Sequence, residues 1–229
     1  MSSPANPVVV PAQDPDERFD LVTAYGAPLG TSKRRADVHK EGDWHRSIHV
    51  WIYGIDPETT EPFVLFQRRG LEKDTWPGML DATAAGHLSS GETVPDAFRE
   101  IEEELGIAPD PSRLQHIGTR VCANEQPPTI FDRELQEVFF LREDGPLSLF
   151  HPNAAEVDAL VRLPLGETLE FLGGFRGDVH GTVLFADDRR EEGVTITAEC
   201  FVPTMIDRYY YRVAIAIAAV LRGDRYIAV

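Results

Sequence analysis

The segment Gly86–Ile107 reads GHLSSGETVPDAFREIEEELGI and sets a cluster of glutamates between a glycine-rich turn and a closing glycine. Thr93 followed three residues later by Asp96 predicts a capping box at the start of a helix, and Pro95 suits its first turn. Gly106 is typical of the residue at which a helix ends. The segment therefore predicts a turn followed by one short helix.

The predicted helix has an apolar face and an acidic face. The apolar residues at helical spacing, expected to face the core, are Ala97, Phe98, Ile101 and Leu105. Glu100, Glu103 and Glu104 are related by steps of three and four residues, so they share another face. Like charges at these spacings destabilise an isolated helix by roughly a few tenths of a kcal/mol per pair. A divalent cation would remove this penalty, because hard cations such as Mg²⁺ take oxygen ligands.

The composition favours a soluble protein of a reducing compartment. With 22 basic and 38 acidic residues among 229, the net charge is -16, which disfavours binding to a nucleic acid backbone. The two cysteines, Cys122 and Cys200, form no CxxC pair. The apolar run VAIAIAAVL at Val213–Leu221 is far shorter than the ~20 residues that cross a bilayer. We expect a cytoplasmic protein with neither nucleic acid nor membrane as a partner.

The strings GHLSSGE and REIEEELGI together resemble the signature of the Nudix hydrolases. The matching positions are Gly86, Glu92, Arg99, Glu100, Ile101, Glu103, Glu104, Gly106 and Ile107. Between Glu92 and Arg99 lie six residues, TVPDAF, where the signature has seven, so the placement of Glu92 relative to the helix stays open. The resemblance implies an α/β fold of the Nudix type, an α/β/α sandwich with a mixed β-sheet, here with an N-terminal extension and a C-terminal helix.

The resemblance also implies roles for the residues of the signature. The implied ligands of Mg²⁺ or Mn²⁺ are Glu100, Glu103, Glu104 and the backbone carbonyl of Gly86 or Ala85. Arg99 would orient the glutamates by charge-assisted hydrogen bonds, which makes Arg99, Glu103 and Glu104 the catalytic candidates of the helix. The implied reaction is the attack of a metal-activated water on phosphorus in a small-molecule diphosphate.

A general base is expected from outside the signature. Glu134 and Glu137, in the strand-like stretch DRELQEVFF, are the candidates. Because they are three residues apart on a strand, they lie on opposite faces, and at most one should point into the site.

Flanking stretches resemble a narrower branch of the family. HKEGDWHRSIHVWIYG, QRRGLEKDTWPGMLDATAAGHL and DRELQEVFFL are similar to type 1 isopentenyl diphosphate isomerases and to the Nudix hydrolases that resemble them. These isomerases hold a metal with histidines and acidic residues, and the corresponding positions are His39, His45, His87, Asp132 and Glu134. The resemblance implies a second metal site there, with ordinary surface or hydrogen-bonded histidines as the alternative. Ala85 stands where the isomerases carry a catalytic cysteine, so isomerase activity is not expected.

Basic residues near this region are the candidates for binding the diphosphate. Arg68, Arg69 and Lys73 in QRRGLEK resemble the residues that meet the diphosphate in the isomerases, and the alternative is an ordinary charged strand end. The other basic run, Lys33–Arg35, is interpreted as a solvated turn, within a stretch expected to be mostly irregular.

The sequence divides into residues 1–46 as a tail and extension, 47–190 as the Nudix domain and 191–229 as a C-terminal strand and helix packed on that domain. The main functional hypothesis is hydrolysis of a diphosphate linkage in a small phosphorylated molecule, such as a nucleoside diphosphate derivative. An isomerase-like protein and a non-catalytic ligand sensor of the same fold are the alternatives. The oligomeric state stays open, with a homodimer as one arrangement.

Overall fold

The computed structural model describes residues 14–126 and 130–229. The strands are β1 (Arg18–Val22), β2 (Pro28–Arg34), β3 (Trp44–Ile55), β4 (Pro62–Arg69), β5 (Leu80–Asp81), β6 (Ala84–His87), β7 (Gln115–Gln126), β8 (Ile130–Arg142), β9 (Val157–Pro164), β10 (Asp178–Phe185) and β11 (Glu191–Thr197). The α-helices are α1 (Arg35–Glu41), α2 (Arg99–Leu105), α3 (Leu165–Gly173) and α4 (Tyr209–Arg222).

One large sheet organises the structure. Its strand order is β11-β10-β9-β4-β3-β8-β7, with β5 paired to β4 and β6 paired to β3. β3 and β8 are parallel, whereas the other neighbours in this sheet are antiparallel. The sheet is therefore mixed, as the sequence predicts. β1 and β2 form a separate antiparallel hairpin.

Helices cover both faces of the sheet. Alternation along β3 sends Trp51 and Tyr53 to the face packed by α3 and α4, and Val50 and Ile52 to the face packed by α2. All four side chains are at most 4% exposed. This arrangement is the predicted α/β/α sandwich, and the predicted C-terminal helix, α4, packs on its own domain.

The helix of the acidic segment forms where its local signals place it. The backbone N–H and the hydroxyl of Thr93 both donate to the Asp96 carboxylate, at 2.8 and 2.6 Å. A 3₁₀ turn over Asp96–Phe98 leads into α2. Gly106 ends the helix with φ +67°, a left-handed conformation that suits glycine. The predicted apolar face is buried against the sheet.

The N-terminal region is more ordered than the sequence suggests. The stretch expected to be mostly irregular contains the end of β2 and the two turns of α1. The expected boundary at residues 46 and 47 falls inside β3, which begins at Trp44. At the other end, β11 extends the large sheet, so residues 191–229 share the sheet and core of residues 47–190. None of the helices described here combines the length and the apolar character that crossing a membrane requires.

Candidate active site and metal centre

The acidic face of α2 meets the glycine of β6 at very close range. A Cβ atom added to Gly86 would lie 2.2 Å from both Cγ and Cδ of Glu100. Only a residue without a side chain leaves room for the Glu100 carboxylate at this position. The glycine that opens the signature is therefore required by contact with a glutamate of the helix.

Arg99 holds the glutamates of the segment together. Its Nε donates to Glu92 at 3.0 Å, and its Nη1 donates to Glu100 at 2.5 Å and to Glu103 at 3.1 Å. The backbone N–H of Ser89 donates to the second oxygen of Glu92 at 2.8 Å. Glu92 thus joins the same cluster in spite of the shorter spacing, because the missing residue is absorbed ahead of α2.

One of the three glutamates on the acidic face, Glu104, is buried, and the side chain of a second, Glu100, is 17% exposed. Glu104 is 2% exposed and accepts a hydrogen bond from the backbone N–H of Ala85 at 3.0 Å. Burial raises the pKa of Glu104 to about 8 and that of Glu100 to about 7. Glu103 is about half exposed, with a side-chain exposure of 54%. All three line one cavity, and carboxylates placed in this way fit oxygen ligands of a divalent cation, which would favour their ionised forms.

The three glutamates line a cavity of about 450 Å³ that also receives basic side chains. Arg69 and Lys73 are both part of its wall. Arg69 donates to the carbonyl and hydroxyl oxygens of Thr75, each at 2.9 Å, and Lys73 forms an ion pair with Glu156. Two of the three predicted diphosphate-binding residues therefore face the acidic cluster.

Arg68 lies elsewhere. It forms an ion pair with Asp158 and stacks over the Phe185 ring at 5.0 Å, and it is absent from the cavity wall. Neighbouring residues of a strand point to opposite faces, so Arg68 and Arg69 could not both enter the cavity. The Arg68 side chain therefore does not contribute to the site.

Two further cavity arginines were not singled out as site residues by the sequence. Arg35 was interpreted as part of a solvated turn, but its side chain is 12% exposed, lines the cavity and contacts Nδ1 of His87 at 3.2 Å. The sequence contained a pattern that could have indicated Arg35 as a site residue, because Arg35 and His39 are four residues apart on α1 and share a face. Arg120 of β7 also lines the cavity and is 9% exposed. No local pattern marks Arg120.

Histidines and an aspartate from four separate elements meet beside this cavity. His39 of α1, His45 of β3, His87 of β6 and Asp132 of β8 offer ligand atoms that lie within 4.8 Å of one another. His39 Nε2, His45 Nε2 and Asp132 Oδ1 are buried and have no hydrogen-bond partner among residues 14–126 and 130–229. Asp132 Oδ1 is 3.9 Å from His39 Nε2 and 3.7 Å from His45 Nε2. Three neighbouring ligand atoms without hydrogen-bond partners fit a metal ion, since buried polar atoms otherwise form hydrogen bonds.

The pKa values in this cluster favour the neutral form of its histidines. Burial lowers the pKa of His39 to about 3 and that of His87 to about 4, and it also lowers the pKa of His45. The imidazoles are therefore neutral at pH 7, the form that binds metals. Burial and the neighbouring Glu134 raise the pKa of Asp132.

The two candidate bases lie on opposite faces of β8, as their spacing requires. Glu134 lines the cavity and accepts hydrogen bonds from Ser47 and Gln136, each at 2.7 Å, and contacts His87 at 3.0 Å. Burial alone would raise the pKa of Glu134, but the hydrogen bond with His87 opposes burial, and the pKa lies well below its usual value.

Glu137 is held outside the cavity. It contacts Arg46 at 3.2 Å, and His116 and Thr119 at 2.9 Å. Of the two candidates, only Glu134 lines the cavity.

The position of the isomerase cysteine carries no thiol. Ala85 lines the cavity, whereas Cys122 is 5% exposed on β7 and does not line it. Burial raises the pKa of Cys122 to about 12, so this thiol is protonated at neutral pH. The cavity described here therefore has no cysteine that could exchange a proton with carbon.

Comparison with known proteins agrees with this geometry. The NUDIX domain family matches residues 44–180, which is more than half of the chain. The chain belongs to the Nudix family. This membership confirms the prediction of a Nudix-family enzyme, and the matched range contains the acidic helix and most of the cavity wall.

Individual relatives place the chain near the isomerase branch. It is 37% identical over 162 residues to Nudix hydrolase 3 of Arabidopsis thaliana, covering 69% of this chain and 20% of that protein. It is 34% identical over 140 residues to an uncharacterised Nudix hydrolase of Clostridium acetobutylicum, covering 61% and 66%. The isopentenyl-diphosphate Delta-isomerase of Rhizobium rhizogenes is 32% identical over 108 residues, covering 47% and 49%. The chain thus spans only a fifth of the length of the Arabidopsis relative.

Proposed function

We propose that this protein hydrolyses a diphosphate linkage in a small phosphorylated molecule, a nucleoside diphosphate derivative or a similar compound, with Mg²⁺ or Mn²⁺ as cofactor. The observation that carries the proposal is that Glu100, Glu103 and Glu104 all line one cavity. Arg99 and the missing side chain of Gly86 fix the placement of Glu100 and Glu103.

Three groups of residues have different roles in the proposed reaction. Divalent cations held by the three glutamates would supply Lewis-acid chemistry and the activation of water. Arg69 and Lys73, which line the same cavity, bind the diphosphate, and their charge offsets that of the phosphate oxygens. Glu134, which lines the same cavity, accepts the proton of the attacking water.

The histidine cluster is proposed as a second metal site. Imidazole nitrogens together with a carboxylate suit Zn²⁺ or Mn²⁺ better than they suit Mg²⁺. The unpaired nitrogens of His39 and His45 and the unpaired oxygen of Asp132 are the observations that favour it. We assign hydrolysis to the α2 glutamates, because their positions match the signature of the hydrolases and chemistry at phosphorus needs no thiol.

The two alternative functions are less well supported. An isomerase needs a proton donor and acceptor at carbon, and Ala85 can be neither. A ligand sensor has no need of buried carboxylates whose pKa values are raised, as those of Glu100 and Glu104 are. The free cysteines, Cys122 and Cys200, fit a reducing compartment, and we propose a cytoplasmic location.

Turnover of a panel of nucleoside diphosphate compounds and isoprenoid diphosphates, with and without EDTA, tests the proposal. Glu103→Gln should lower kcat by about a thousandfold, since it removes one carboxylate of a metal-binding set. The matched control is Glu102→Gln on the exposed side of the same helix, which should behave as wild type. His45→Ala should lose tightly bound transition metal, measured by metal analysis after dialysis, and should keep more activity in Mg²⁺ than Glu103→Gln. A near-normal Glu103→Gln beside a dead, metal-free His45→Ala would place the chemistry in the histidine cluster instead.

A further inference from the structure

Arg120 occupies a part of the cavity that the proposed hydrolysis does not use. It lies on β7 directly opposite Gln136 of β8 and is 9% exposed. Its side chain points to the face of the sheet that carries Glu134, so it belongs to the same cavity as the acidic helix.

The guanidinium group of Arg120 is fixed on three sides. Its Nε donates to Asp207 at 2.7 Å and its Nη1 donates to the side-chain oxygen of Gln136 at 2.7 Å. Its plane stacks over the Tyr209 ring, with 4.1 Å between the guanidinium carbon and the ring centroid. A group held in this way loses little further freedom when it binds a ligand.

Arg120 retains hydrogen-bond donors that these contacts do not use. A guanidinium carries five N–H donors, and Asp207 and Gln136 each accept from one nitrogen. Among the side chains that the structure describes, no acceptor contacts Nη2. A hydrocarbon placed against this buried group would leave its donors unpaired, whereas an oxygen-bearing group would satisfy them.

Arg120 and Arg69, one of the residues proposed to bind the diphosphate, lie on different strands of the sheet. Arg69 ends β4, and β3 and β8 lie between β4 and β7. Three strand spacings of about 4.8 Å place the two strands roughly 14 Å apart. Because the two arginines come from strands that far apart, a substrate whose diphosphate binds at Arg69 would present the group that the diphosphate carries to Arg120.

We propose that Arg120 is a specificity-determining residue, which donates hydrogen bonds from Nη2 to acceptor oxygens on the group attached to the diphosphate. The inference rests on the proposed function, because it takes the diphosphate to bind between Arg69 and the α2 glutamates. Substrates with a base or sugar at this position are selected over those with a hydrocarbon chain.

A purely structural role for Arg120 makes different predictions, which allows a sharp test. In that case the Arg120–Asp207 ion pair would only fasten the segment that precedes α4, and Arg120→Met and Asp207→Asn would have the same consequences. Asp207 does not line the cavity, so Asp207→Asn weakens the ion pair without removing the guanidinium. It is therefore the matched control.

The experiment measures kcat/KM for nucleoside diphosphate sugars and for isopentenyl diphosphate in the full chain and in both variants. Wild type should prefer the sugars. Arg120→Met should lower kcat/KM for the sugars by roughly 10- to 100-fold, as expected for the loss of a hydrogen bond from a charged donor, and change that for isopentenyl diphosphate less than about threefold. Arg120→Lys should fall between wild type and Arg120→Met. Asp207→Asn should lower the Tm and leave the ratio of the two substrates unchanged.

Equilibrium binding separates a failure of this inference from a failure of the proposed function. Methylene-bridged ADP and the methylene-bridged isopentenyl analogue are probes that cannot be hydrolysed. If wild type turns over neither substrate, the proposed hydrolysis fails, but selective loss of the ADP analogue in Arg120→Met would still support recognition by Arg120. Equal losses for both probes, or a wild-type preference for the isopentenyl probe, would overturn the inference.

Discussion

A single methyl group at Gly86 should impair metal binding without touching a metal. The Cβ of Gly86→Ala would sit 2.2 Å from Cγ and Cδ of Glu100, whereas ordinary van der Waals contact begins near 3.4 Å. The carboxylate must therefore move by roughly 1.2 Å, because the alternative is to shift β6 within the sheet. Metal–ligand distances tolerate only about 0.2 Å, so the displaced Glu100 no longer serves as a ligand.

Both metal binding and stability are expected to fall. Displacing a positioned ligand should raise the Mg²⁺ concentration for half-maximal activity by up to about 100-fold, which is roughly 2.7 kcal/mol. Crowding of this kind costs about 1–3 kcal/mol of stability, or a few degrees in the Tm of a chain of this size. Mg²⁺ titration of the hydrolysis rate and thermal unfolding in EDTA measure the two effects separately.

The control and the refutation follow from the same contacts. Gly193 of β11 has nothing within 4 Å of an added Cβ, so Gly193→Ala should behave as wild type. If Gly86→Ala acts through Glu100, the double variant with Glu100→Ala should have the same Mg²⁺ requirement and kcat as Glu100→Ala alone. A Gly86→Ala variant with the wild-type Mg²⁺ requirement and kcat would show that this close approach does not position the ligand.

Three further predictions concern the same cavity. In EDTA, the raised pKa values of Glu104 and Glu100 mean that the folded protein binds protons more tightly than the unfolded chain, so the Tm should fall as pH rises from 6.5 to 8. Glu104→Gln should flatten this slope, and an unchanged slope would contradict the assignment. Arg99→Lys keeps the charge but loses the planar guanidinium whose nitrogens reach several carboxylates. The kcat, measured at saturating Mg²⁺, should therefore fall about 10- to 100-fold. Product analysis should find no conversion of isopentenyl to dimethylallyl diphosphate, because Ala85 cannot move a proton, and conversion above the buffer rate would require another donor.

The sequence by itself determined the features that depend on neighbours in the chain. The left-handed stop at Gly106 and the buried and acidic faces of α2 are set within a few residues, and all are present in the structure. Only half of the predicted capping box forms, because Asp96 accepts from the backbone N–H of Thr93 but the Thr93 hydroxyl donates to Asp96 instead of accepting from the helix. The same reasoning separated Glu134 from Glu137, because alternation along a strand is a property of the backbone.

The resemblance to the isomerase branch supplied what local patterns could not. The histidine cluster draws on α1, β3, β6 and β8, which are far apart in sequence. Periodicity alone gives no reason for these residues to meet. They meet because β6 and β8 both pair with β3, antiparallel and parallel respectively.

Only the tertiary structure decided which basic residues enter the site. Strand alternation states that Arg68 and Arg69 point to opposite faces, but which face carries the cavity depends on the helices packed against the sheet. Arg35 and Arg120 reach that cavity from the N-terminal extension and from β7. Their placement follows from the strand order and from burial against Phe19 and Tyr209. Such long-range contacts arise from the packing of the whole core, which no short window of sequence encodes.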